Sequence, residues 1–131
     1  MSKLALVIGN KNYSSWSLRA WLVLAHAEIP FEEINVRLFE PGFKEEIAKY
    51  SPAGRVPVLL DDGLAIWDTL AIAEYLAERY PERKLWPTDT KRRARARSIC
   101  AEMHSGFHAL RSNMPVNITA DLRGRGWNVA V

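Results

Sequence analysis

The pair Val56-Pro57 sits between the loop-forming run Ser51-Pro52-Ala53-Gly54-Arg55 and a short hairpin that ends at Asp68-Thr69. No other feature constrains this chain as much. Proline donates no backbone hydrogen bond, so sheets accept it at strand starts, bulges or edges. At a strand head, Pro57 leaves the amide and carbonyl of Val56 outside the ladder, beside an open groove. An extended peptide can pair there as an added strand. The Val56-Pro57 bond is a candidate cis bond. Asp68-Thr69 then opens a helix with a carboxylate, a hydroxyl and free N-terminal amides, a set that suits a zwitterionic amino-acid head group. Together the two features imply a pocket for a small peptide.

Apolar periodicity supplies the frame around that pocket. Residues 3–9 read as a buried strand, and 15–28 as a helix with Leu18, Trp21, Leu22 and Ala25 at helical spacing. Residues 31–36 are a second strand and 43–50 a short helix. Asp61-Asp62-Gly63 is a hairpin turn between strands 57–60 and 64–67. A helix over 68–80 turns Leu70, Ile72, Ala73 and Leu76 inward. A proline-containing linker over 81–89 leads to a longer helix, 90 to about 113, with Ala96, Ile99, Met103, Phe107, Leu110 and Met114 as its stripe. The order is βαβαββα followed by helix. A β-α-β start requires a parallel strand pair, and the hairpin adds an antiparallel edge.

Composition narrows the class. With 48% apolar and 25% charged residues in 131, the chain suits one soluble globular domain or slightly more. No apolar run reaches the length of a membrane span. The single cysteine, Cys100, excludes an internal disulfide framework and fits a reducing compartment, so a cytoplasmic location is expected. The net charge of +3 is concentrated in residues 91–97 and around Arg123 and Arg125. Alanines rather than aromatics separate those arginines, so the run reads as a solvated helix face and nucleic-acid binding is the weakest reading. Trp21 and Trp67 are expected in the core, and Trp86 is placed to anchor the linker.

Three motifs in this order carry a family resemblance: Ser14-Ser15-Trp16-Ser17-Leu18-Arg19, then Ser51-Pro52-Ala53-Gly54-Arg55-Val56-Pro57, then Trp67-Asp68-Thr69-Leu70-Ala71-Ile72-Ala73-Glu74-Tyr75-Leu76. The chain resembles a cytosolic glutathione transferase of the serine-type, zeta-like classes. The resemblance implies a thioredoxin-like glutathione-binding domain over 1–82, a linker over 83–89 and an incomplete all-helical C-terminal domain over 90–131. Family members have several more C-terminal helices, so the expectation is a truncated form or a fragment. Two motifs depart from the pattern: Trp16 stands where zeta-like members often have cysteine, and Asp68-Thr69 where the family more often has Glu or Gln followed by Ser.

The family's chemical task is to keep the glutathione thiol ionised, because the thiolate is the nucleophile. By resemblance Ser14 donates to that thiolate, with Ser15 its rival and Ser17 more distant. These serines can equally cap the helix that follows. The resemblance assigns Val56 and Pro57 to the cysteinyl backbone and Thr69 to the γ-glutamyl carboxylate. It places Asp68 near the ammonium, with Arg55 and Lys44 toward the glycyl carboxylate. His104, His108 and Arg111, at i, i+4 and i+7 of one helix, share a face. With Tyr13 they are candidates to border a second, electrophilic substrate. Without a third ligand the histidine pair does not call for a metal. The expected activity is conjugation of glutathione to a small electrophile, or a glutathione-dependent isomerisation or reduction. The alternative is a non-catalytic glutathione-transferase-like binding or regulatory protein. An apolar stripe on a lone helix implies self-association or an incomplete chain, and the resemblance, to a family whose members are usually dimers, implies a homodimer.

Overall fold

The computed structural model describes residues 3–131 and has the expected βαβαββα order. Strands β1 (Ala5–Ile8), β2 (Glu32–Asn35), β3 (Val58–Asp61) and β4 (Leu64–Trp67) form one sheet in the order β2-β1-β3-β4. β1 pairs in parallel with β2, Leu6 opposite Glu33, while β3 runs antiparallel to both β1 and β4. The hairpin turn has only Asp62 and Gly63 between its strands, both at positive φ (47° and 83°). That is the two-residue turn whose twist matches the strands, and aspartate and glycine are residues that tolerate it.

The period-2 alternation of the strands sends side chains to two different layers. Leu6, Ile8 and Leu59 face α1 (Ser15–His26) and α3 (Thr69–Arg79), where Ala20, Leu24, Ile72 and Leu76 close the larger core. Val7 and Val58 face the opposite side, where Ile47 of α2 (Phe43–Ala48) and Val36 complete a smaller one. The sheet is thus covered on both faces, and its buried central strand β1 is apolar throughout.

After α3, a 3₁₀ turn (Pro81–Arg83) and an irregular stretch lead to α4 (Thr90–Ser105), capped by Asp89, whose carboxylate accepts from Arg92 N at 2.8 Å. Arg97 of α4 pairs through two nitrogens with Glu74 of α3 (2.9 and 3.2 Å) and stacks over Trp86. α4 buries no residue fully, and half of the expected stripe is bare: Ile99, Phe107 and Met114 are exposed, while Ala96, Met103 and Leu110 are half-buried.

Two expectations need correction here. The helix over 90 to about 113 is two helices, because α4 ends at Ser105 and α5 spans His108–Asn113. Gly106 costs a helix interior about 1 kcal/mol relative to alanine. A Cβ there would lie 2.9 Å from the Glu102 carbonyl oxygen, and Phe107 follows at φ 59°. The break means that His104, His108 and Arg111 do not share a helical face. Trp67 is likewise half exposed rather than core, because it ends the edge strand β4.

Candidate functional site

The Val56-Pro57 bond is cis, and β3 begins only at Val58, so Val56 stands outside the ladder. Pro57 is buried, Val56 is half-buried against the smaller core, and Arg55 is exposed. Across from them β4 ends at Trp67 and the backbone turns into α3 through Asp68, at φ 80°. One Asp68 oxygen accepts from Leu70 N at 3.0 Å and caps the helix. The other lies 3.2 Å from His104 Nε2 on α4. Thr69, the first residue of α3, is 8% exposed.

These elements enclose a cleft of about 240 Å³. Arg55, Val56 and Pro57 form one wall, Asp68 and Thr69 the opposite one, and Trp16, Trp67 and His104 complete it. The first-turn amides of α3 carry the positive end of the helix dipole, which favours a carboxylate. The Asp68 carboxylate beside them favours an ammonium. The cleft therefore offers complementary partners to both charges of an amino-acid head group, with unpaired strand backbone next to them.

The other predicted site residues fall around this cleft unevenly. Ser14 is the N-cap of α1: its Oγ accepts from Ser17 N (3.3 Å) and lies 2.9 Å from Ser17 Oγ. Ser17, fully buried, accepts from Gly9 N at 3.0 Å, so the start of α1 is tied to the end of β1. Ser15, Tyr13 and Arg111 line a neighbouring cavity of about 450 Å³. Lys44 is exposed on α2 and lines no part of the cleft. His108 is exposed on α5, with its Nε2 3.4 Å from Ser112 Oγ. Among the described residues no group of three histidine, cysteine or acidic side chains is placed to hold a metal.

Trp16 and Trp67 are cleft residues that the sequence reading did not assign. Trp16 meets His104 edge-on, with ring centroids 5.1 Å apart, and the Arg19 and Arg111 guanidiniums lie 4.3 and 4.5 Å from its ring centroid. Its position inside the serine motif was the available signal. For Trp67 the signal was adjacency to Asp68 at the open end of a hairpin.

The family model for the glutathione S-transferase N-terminal domain matches residues 13–79, the segment that runs from Tyr13, just before the serine motif of α1, to the end of α3. The chain belongs to the glutathione S-transferase family. It is 37% identical over 97 residues to a probable maleylacetoacetate isomerase of Caenorhabditis elegans, an alignment covering 74% of this chain and 45% of that protein. It is also 37% identical over 102 residues to the maleylacetoacetate isomerase of Rattus norvegicus, covering 76% and 47%. A Burkholderia glutathione transferase homolog solved with bound glutathione superimposes with a TM-score of 0.72 at 31% identity, over 86% of this chain and 62% of that one. The chain spans about half the length of the curated relatives it matches. As in other glutathione S-transferases, the N-terminal part has the thioredoxin-like fold with its mixed four-stranded sheet.

Proposed function

We propose that the cleft binds glutathione in an extended form, its cysteinyl backbone paired with Val56 and its γ-glutamyl end at Asp68 and Thr69. The observation that carries this reading is that Val56-Pro57 and Asp68-Thr69, on either side of the β3–β4 hairpin, line one cleft. Thr69 supplies a hydroxyl and an amide to the carboxylate, and Asp68 faces the ammonium. Arg55 is the nearer cation for the glycyl carboxylate, with Lys44 requiring a longer reach from α2.

The activity proposed is glutathione-dependent transfer: the ionised thiol forms a carbon–sulfur bond with a small electrophile, either displacing a leaving group as its anion or adding to an activated double bond whose displaced electron pair then takes up a proton, or adds reversibly and is expelled in an isomerisation. Ser14 is the proposed donor to the thiolate, with Ser15 its rival. Either hydroxyl sits at the start of α1, where the helix dipole also favours an anion. Tyr13, His104 and Arg111, which line the cleft or the neighbouring cavity, are the proposed contacts to the second substrate, together with His108, which lines neither. The proposal extends to a homodimer in the cytoplasm, with 1–82 as the glutathione-binding domain, 83–89 as linker and 90–131 as the helical part. The exposed Ile99, Phe107 and Met114 support association, since soluble monomers rarely leave large contiguous apolar patches bare.

Calorimetric titration with glutathione tests the placement. Thr69→Ala should weaken binding by about 1.5–3 kcal/mol, the usual cost of losing a hydrogen bond to a charged group. Unchanged affinity in a folded variant contradicts it. Binding without turnover across a panel of electrophiles would favour the non-catalytic reading.

A further inference from the structure

Between β1 and α1 the chain turns through residues 9–14 and delivers Ser14 to the start of the helix. Asn10 shapes the turn. Its carbonyl accepts from Tyr13 N (3.2 Å) and Ser14 N (2.8 Å), and its Oδ1 accepts from Asn12 N (2.8 Å). The next two side chains hold the turn from different quarters. Lys11 Nζ lies 2.7 Å from both carboxylate oxygens of Glu33 on β2. Asn12 reaches instead to the segment after α5: its Oδ1 accepts from Ile118 N (2.7 Å) and Thr119 N (2.9 Å), and its Nδ2 donates to Asn117 Oδ1 (3.3 Å). Asn117 Oδ1 also accepts from Ala120 N at 3.1 Å, which shapes that segment for the contact. Among the described residues, only the Asn12 hydrogen bonds join the turn to the chain beyond α3. Two backbone donors on the oxygen and an acceptor at the nitrogen fix the orientation of the Asn12 amide, and an aspartate would lack the donor.

We propose that Asn12 is a positioning residue: by clamping the turn to residues 117–119 it fixes the orientation of Ser14, and so of the hydroxyl offered to the glutathione thiolate. The last step rests on the cleft holding glutathione with Ser14 as the donor. Surface turns are ordinarily more mobile than the elements they join, and the clamp removes that freedom two residues before Ser14. A hydrogen bond weakens steeply as it loses alignment, so the ionised thiol is the group that feels a loosened turn. The proposed partners of the rest of glutathione, Val56, Asp68 and Thr69, lie outside the turn. The clamp therefore acts on thiol ionisation rather than on binding.

The test compares Asn12→Ala, Asn117→Ala and the double variant with the parent, all as the full chain. Asn12→Ala should open the Ile118 and Thr119 amides to hydrogen exchange and lower the backbone order parameters of Tyr13 and Ser14 from about 0.85 toward about 0.6. It should also raise the apparent pKa of bound glutathione by about half a unit, a roughly threefold change in the ionisation constant, read from thiolate absorbance against pH. Calorimetric affinity for glutathione should change by less than about twofold. Asn117→Ala lies outside the turn and should shift the thiol in the same direction by less, with the double variant no worse than Asn12→Ala. If Asn12→Ala does not fold, Asn117→Ala decides by the same measurements. Free exchange at Ile118 and Thr119 with Tyr13 and Ser14 as ordered as in the parent overturns the inference, because Asn12 then anchors only the later segment. An unchanged thiol pKa in a chain that binds glutathione also overturns it. If the parent binds no glutathione, the reading of the cleft falls, while lost order at Tyr13 and Ser14 in Asn12→Ala still supports Asn12 as the residue that positions the turn.

Discussion

Replacing Asp68 separates what this residue does for the fold from what it does for the ligand. Asp68→Ala removes the carboxylate that accepts from Leu70 N at 3.0 Å. Loss of an N-cap costs about 1 kcal/mol, within a range of roughly 0.5–2. The contact to His104 adds at most a few tenths, because both side chains are substantially exposed. The backbone at φ 80° and ψ 133° is sparsely populated by any residue other than glycine, a conformation worth roughly 1–3 kcal/mol of strain. Asp68→Gly loses the same bonds but relieves that strain. The alanine variant should therefore be about 1–2 kcal/mol less stable than the parent, and the glycine variant within about 1 kcal/mol of it. Both should lose the same glutathione affinity, roughly 10- to 150-fold for a charge-assisted bond to the ammonium. Urea unfolding gives the stabilities and calorimetry the affinities. Equal destabilisation of the two variants refutes the backbone argument, and intact affinity in both refutes the placement of the ammonium.

Three further outcomes are expected. Ser17→Ala should destabilise by about 1–3 kcal/mol in urea unfolding, because the buried Gly9 N–H loses its acceptor. Ser14→Ala should raise the apparent pKa of bound glutathione, read from thiolate absorbance against pH, and slow conjugation more than it weakens binding; the same pattern in Ser15→Ala but not Ser14→Ala moves the role to Ser15. At Glu33, burial works to raise the pKa, but hydrogen bonds from Lys11, Asn35 and Trp21 and the Lys11 charge outweigh it, leaving a pKa below the ordinary 4.5. A depressed carboxylate contributes stability that is present above its unfolded pKa and is lost as pH falls through the folded one, so Glu33→Gln should flatten the stability profile below about pH 4.5.

What was legible in the sequence was local chemistry. Val56-Pro57, Asp62-Gly63 and Asp68-Thr69 each impose a backbone geometry through the residues themselves, and the structure has the strand start, the tight turn and the helix start at those places. Which side chains meet across the chain was harder to read. An unbroken 3.6-residue period carried His104, His108 and Arg111 onto one face, but Gly106 and the positive φ of Phe107 interrupt it. Arg111 consequently turns back to Trp16, while His108 is left in solvent. Trp67 carries the size and apolarity of a core residue, yet the strand order puts it at the sheet's edge, a fact no local window contains.

The central claim, that glutathione lies between Val56 and the first turn of α3, is tested most directly by following backbone amide resonances of isotopically labelled protein during a glutathione titration. The account predicts saturable shifts at the amides of Val56, Thr69, Leu70 and Ala71, with residues of α2 and α5 nearly unmoved. Saturable shifts that spare Val56 and the start of α3, or no shifts at millimolar glutathione, would contradict it.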